Sequence, residues 1–169
     1  MGLALTRRPR SHSPVTASEA KQSMLNAHIS LVTLGVTDVP RAARFYEALG
    51  FLRKVRAAPE TEVAFFDAGT LTLSLYDVRG LAGDASFAEN TRPAAFRGAS
   101  LAWNCGSEGE VDAIMARSLK AGATELTPAK KADWGGYHGH FADPDGHIWE
   151  VACNPQFPLT AEGRPILPD

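Results

Sequence analysis

Cysteine is scarce in this chain, with Cys105 and Cys153 the only two among 169 residues. Their spacing fits no cysteine-based metal motif. No secretion signal accompanies them, so they read as free thiols in a reducing compartment. Net charge is also small: 17 Lys and Arg stand against 19 Asp and Glu, a balance of −2. That removes the electrostatic case for a nucleic-acid partner. Long apolar runs are missing too, and none reaches the roughly 20 residues that a membrane helix needs. The expected setting is cytoplasmic, with neither membrane nor nucleic acid among the partners.

Hydrophobic residues make up 44% of the chain, enough for one domain with a core of its own. The first 23 residues, "MGLALTRRPRSHSPVTASEAKQS", stand apart because they show no apolar period. Arg7, Arg8, Arg10 and Lys21 face only Glu19 there, a local balance of +3 that leaves −5 for the remainder. No apolar segment follows the Arg7-Arg8 pair, so a twin-arginine export signal is rejected. An Arg- and Ser-rich transit peptide fits the composition, and so does a disordered extension. Patterned sequence begins after Met24, which makes Met24 an alternative start. The expected layout is a disordered or artefactual extension over 1–25, one domain over 26–155, and an irregular Pro-rich tail over 156–169.

Within the domain one pattern occurs twice. "AHISLVTLGV" is apolar and β-branched and reads as a strand. Asp38 is a good helix N-cap, and Pro40 is tolerable in a first turn. Val39, Ala42, Phe45, Tyr46 and Leu49 form a helical stripe, and Gly50 can end the helix in a left-handed conformation. "FLRKVR", "EVAFFDAG" and "TLTLSLYDV" then read as three strands. After a loop around Gly80–Arg97 the order returns. "GASLAWNC" is a strand, Ser107 and Glu110 make a capping box, and Val111, Ile114, Met115 and Leu119 form the stripe before Gly122. "TELTPAKK", "GYHGHFAD" and "HIWEVACN" complete the second set. The fold class is therefore α+β: two βαβββ modules, over 26–78 and 97–155, forming a curled, partly barrel-like sheet with helices outside.

Strand parity assigns the faces. Leu71, Leu73 and Leu75 oppose Thr72, Ser74 and Tyr76. Leu101, Trp103 and Cys105 oppose Ser100, Ala102 and Asn104. In "YHGHF", Tyr137 and Phe141 oppose His138 and His140. One face of each strand is greasy and must pack on helices. The other is small, polar and dotted with aromatics, which suits a concave wall around a ligand. Cys105 and Cys153 have core parity, which argues against a nucleophilic role.

"WGGYHGHFADPDGHIWEV" concentrates the chemistry. Asp143-Pro144-Asp145-Gly146 fits a type I turn with glycine in the left-handed bulge position. If Asp143 and His147 close it, paired residue numbers sum to 290, and His140 faces Glu150. His138 then shares their face, and His147 points away. Asp143 and Asp145 read as turn residues rather than catalysts. Trp134, ahead of Gly135-Gly136, has the makings of a lid or stacking wall.

The duplicated modules, "FYEALGF" after the first strand and "FADPDGHIWEV" at the last hairpin, resemble the vicinal oxygen chelate superfamily of glyoxalases, bleomycin-resistance proteins and extradiol dioxygenases. The resemblance spans about Asn26–Pro155 and implies the fold read above, together with a homodimer. It also implies a divalent metal held by His, Gln or Glu on the first and last strand of each module. Glu150 matches one such position. The others fall on Leu31, on Thr72 or Ser74, and on Ser100, and none of these replaces imidazole or carboxylate. The usual metal site is thus broken, and no cofactor is expected. A displaced divalent-metal site on His138, His140 and Glu150 is the alternative.

Leu31, Thr33, Ser74, Tyr76, Ser100, Asn104, Trp134 and His138 are the expected ligand-lining residues, with Glu150 and His140 as the acid/base pair. Three functions remain open at this point. The first is metal-free binding of a small, partly aromatic or carbonyl-bearing molecule. The second is a metal-dependent lyase or dioxygenase on the displaced site. The third is a metal-free isomerase or lyase with a Glu/His proton shuttle.

Overall fold

A computed structural model describes residues 28–55, 63–88 and 94–167. The extension expected over 1–25 lies outside the described residues. The first module runs β1 (Leu31–Val36), α1 (Val39–Leu49), β2 (Leu52–Val55), β3 (Val63–Asp67) and β4 (Thr72–Asp77). A short helix, α2 (Val78–Asp84), follows. The second module runs β5 (Leu101–Asn104), α3 (Glu108–Ala121), β6 (Thr124–Lys131), β7 (Tyr137–Ala142) and β8 (Ile148–Cys153). No helix among the described residues is long and apolar enough to cross a membrane.

Each module folds its strands into its own four-stranded sheet, in the order β1-β4-β3-β2 and β5-β8-β7-β6. The first and last strands of each module lie side by side in parallel, and the other pairings are antiparallel. The α+β fold of two βαβββ modules is as read from the sequence, and the sheets close no barrel. α2 is an addition, because it occupies the start of the expected loop. The Asp77 carboxylate caps it by accepting from the Arg79 and Gly80 amides at 3.0 Å. Its seat is Gly35 of β1, where an added Cβ would lie 3.1 Å from Leu81 and 3.2 Å from Val78.

The two main helices begin and end where expected. Asp38 accepts from the Arg41 amide at 2.8 Å, and Gly50 ends α1 at φ 99°. Ser107 accepts from the Glu110 amide at 3.3 Å, and Gly122 ends α3 at φ 108°. The return bond of the capping box is displaced by one residue, since the Glu110 carboxylate accepts from the Gly106 amide.

Parity places the core on the helical side of both sheets. Leu34, Val36, Phe66, Leu73 and Leu75 of the first sheet and Phe141, Trp149 and Val151 of the second are all buried. Burying each such side chain stabilises the fold by roughly 1.5–3 kcal/mol. Tyr46 of α1 is the seam. Its ring packs on Phe45, Phe51, Phe66 and Trp149. Its hydroxyl donates to Asp143 at 2.6 Å and accepts from the Trp149 indole at 3.2 Å. Burial, reinforced by the Asp143 charge, holds the phenol well above its ordinary range.

The β7–β8 turn is a second seam. Asp145 accepts from the Thr37 amide at 2.9 Å, the Thr37 hydroxyl at 2.7 Å and the Arg41 guanidinium at 2.7 Å. Burial pushes this carboxyl up, but the bonds from Thr37 and Arg41 outweigh it and leave it below the usual carboxylate range. Asp143 is buried and also accepts from the Asp145 and His147 amides. Both aspartates are thus turn residues, as expected, and also tie the second module to the first.

The tail after β8 is irregular apart from one bridge between Leu159 and Pro165.

Candidate functional site

The hairpin that carries the histidines has the register expected from its turn. Asp143 and His147 close it, Gly146 sits at φ 81°, and His140 pairs with Glu150 while His138 pairs with Ala152. Tyr137 turns to the helical side and donates to Asp112 of α3 at 2.8 Å. His138, His140 and Glu150 are half-buried on the opposite, open face. Gly139 between the histidines has no room for a side chain. An added Cβ would lie 3.0 Å from the Ala129 backbone nitrogen and 3.0 Å from the Met115 methyl. This close seat fixes the strand under both imidazoles.

The pairing within the cluster differs from the expected one. His138 Nδ1 lies 2.9 Å from Glu150 Oε1, and His140 Nε2 lies 3.8 Å from the same oxygen. The hydrogen bond therefore belongs to His138, the diagonal neighbour, and not to the directly opposed His140. A three-carbon glutamate arm reaches a diagonal partner readily, whereas parity reports only which residues share a face. A carboxylate accepts only, so Nδ1 of His138 is the donor in this bond. The two imidazole rings stand 5.2 Å apart at 73°.

Trp134 borders the cluster, with its ring edge-on to His138 at 5.6 Å. It lies over Gly136, where an added Cβ would come within 1.6 Å of the indole. His147 turns away, as expected. Its Nε2 lies 2.9 Å from the Gly35 carbonyl and its Nδ1 2.7 Å from the Arg97 guanidinium.

The remaining expected site residues are scattered over three clefts. Leu31 borders one of about 1090 Å³, Ser100 and Asn104 one of about 640 Å³, and Thr33 and Ser100 one of about 370 Å³. Ser74 is buried, and the Tyr76 ring packs on Gly80. None of the three clefts is lined by His138, His140, Glu150 or Trp134. None of these three clefts brings Leu31 and Ser100 together with the histidines. β1 and β5 are both outer strands of their sheets and form no ladder with each other.

At the positions that the resemblance marks for metal ligands, Leu31, Thr72, Ser74 and Ser100 offer no imidazole or carboxylate. His138, His140 and Glu150 do offer suitable donors. One atom from each lies within 4.8 Å of the others, in the one such group among the described residues. The cysteines take no part. Both are free, and burial, with Glu110 and Cys153 nearby, pushes the Cys105 thiol up to about 11.

Arg97 and His147 went unrecognised as parts of one structural unit. Nothing near them in sequence could have revealed it, because their partners lie about fifty and a hundred residues away.

The fold is shared with proteins of known structure. A glyoxalase-related enzyme from Fulvimarina pelagi is 36% identical, with a TM-score of 0.73, over 83% of this chain and 97% of that one. A glyoxalase/bleomycin resistance protein/dioxygenase family enzyme from Burkholderia phytofirmans PsJN is 18% identical, with a TM-score of 0.63, over 75% and 98%. Lactoylglutathione lyase from Agrobacterium tumefaciens is 20% identical, with a TM-score of 0.57, over 76% and 95%. At these lower identities the likeness is one of fold. No curated protein matches the chain. Residues 28–151 match the profile of one family, and the chain belongs to it: the Glyoxalase/Bleomycin resistance protein/Dioxygenase superfamily.

Proposed function

We propose that this chain binds a small, partly aromatic, carbonyl-bearing molecule on the open face of its second sheet, without the superfamily's usual metal site. One observation carries the reading: Glu150 is hydrogen-bonded to His138 at 2.9 Å with His140 beside it, all three half-buried on the open face of the sheet. A carboxylate with one imidazole behind it and another alongside can accept a proton next to a carbonyl and return it. His138 orients Glu150. His140 makes no hydrogen bond among the described residues and is the group that meets the ligand oxygen. Trp134 supplies an aromatic edge for the ligand body.

The test is a titration of aromatic aldehydes and ketones, read by tryptophan fluorescence. Glu150→Gln and His140→Ala should each weaken binding about tenfold, the effect of one charge-assisted hydrogen bond. Unchanged affinity in both variants would remove the cluster from the site.

A second reading is favoured by the 4.8 Å grouping of the three donors. In it they hold a divalent ion, which would supply Lewis-acid polarisation of the ligand carbonyl. Zinc, manganese and nickel titrations separate the two. Stoichiometric binding abolished by His140→Ala would establish the metal reading in place of the first.

A further inference from the structure

The smallest of the three clefts, about 370 Å³, lies between β1, α2 and the start of β8. Its size is that of a small-molecule pocket. Six of its lining residues, Val32, Leu34, Val78, Leu81, Leu101 and Ile148, are aliphatic. Thr33 and Ser100 add hydroxyls, and no carboxylate lines it. Arg97 is its one cationic side chain.

That guanidinium is held in place by an imidazole and a backbone carbonyl. It donates to Nδ1 of His147 at 2.7 Å and to the Asp145 carbonyl at 2.8 Å. His147 is itself positioned, donating from Nε2 to the Gly35 carbonyl at 2.9 Å. Among the described residues no carboxylate pairs with Arg97. A guanidinium has five N–H donors, so three remain for a ligand. An oriented cation without a counter-ion, at the rim of an aliphatic cleft, calls for an anion with an apolar body.

We propose that this cleft binds a small apolar carboxylate, its charge on Arg97 and its body over Ile148. The carboxylate matches the guanidinium fork, as phosphate would, but the aliphatic walls suit an acid with a single charged end. Ile148 is two residues from Glu150 on the same face of β8, about 7 Å away. A ligand anchored at Arg97 therefore extends toward Glu150 and His140. This assignment rests on the proposed binding function and deepens it, since the substrate becomes an acid whose reacting carbonyl lies a few bonds from its carboxylate.

The experiment compares naphthoate with its neutral isostere naphthamide by calorimetric titration. The wild type should bind naphthoate about tenfold more tightly than the amide. Arg97→Gln should reduce that preference to within about twofold while sparing the amide's affinity. Arg97→Lys should keep part of the preference, because it retains the charge and loses the fork. Equal affinities in the wild type, a preference that survives Arg97→Gln, or no binding of either probe would overturn the assignment. Glu150→Gln serves as the separate arm. A preference that depends on Arg97 while Glu150→Gln changes nothing would uphold the anion cleft and count against the function proposed for the cluster.

Discussion

Asp145 shows how much one side chain in a turn can carry. Its side chain is only 3% exposed, and it gathers three hydrogen bonds from Thr37 and Arg41 of the other module. Those bonds overcome burial and hold the carboxyl below its ordinary range. A carboxyl lowered in the folded state stabilises above its unfolded value, about 3.9, and that contribution disappears as pH falls through the folded value. Asp145→Asn should therefore melt at lower temperature than the wild type at neutral pH. The two curves should converge as the solution is acidified past the folded value, because the wild-type carboxyl is then neutral as well. Thermal melts across a descending pH series check this. A gap independent of pH would mean that shape, and not charge, is what Asp145 contributes. Residues of this kind were only half legible in the sequence. The turn chemistry of Asp143 and Asp145 could be read locally, but their partners at Tyr46, Thr37 and Arg41 lie about a hundred residues away.

The β6–β7 connection places an element's tip beside the site. Gly136 carries no side chain, and the Trp134 ring uses the vacated space to reach the edge of His138. A methyl group at 136 cannot coexist with that ring. Gly136→Ala should expel the indole into water, seen as a red-shifted tryptophan emission and weaker binding of the aromatic ligand. Trp134 is already 41% exposed, so stability should change by less than about 0.5 kcal/mol. Unshifted emission would show that the ring does not depend on the glycine. At this scale the sequence was most readable. Capping residues marked both long helices, and a four-residue turn with a period of two fixed the register of β7 and β8 to the residue. α2 was missed because "VRGLAGD" has two glycines and buries no residue, so it shows no apolar stripe. The His138–Glu150 bond was missed for a different reason. Register determines which Cβ atoms are opposed, whereas a flexible carboxylate chooses between an opposed and a diagonal partner.

Among the described residues four strands are outer ones, β1 and β2 in one sheet and β5 and β6 in the other. The polar cluster faces an open sheet surface. We propose that the chain pairs with a second copy, which would cover strand edges that otherwise invite uncontrolled association. Sedimentation at high concentration should give twice the 18.1 kDa chain mass, and a monomer there would refute the pairing. A different consequence follows from the turn that joins the two modules. Asp143, Asp145 and His147 are bolted to Tyr46, Thr37, Arg41 and Gly35, and Glu150 stands on β8 three residues after His147. The Glu150 carboxylate is thus mounted on a short arm whose pivot belongs to the other half of the chain. Substitutions at that pivot should reach Glu150 by leverage, without touching it. The first module, which has no His/Glu cluster of this kind among the described residues, thereby holds the base of the strand that carries the one in the second.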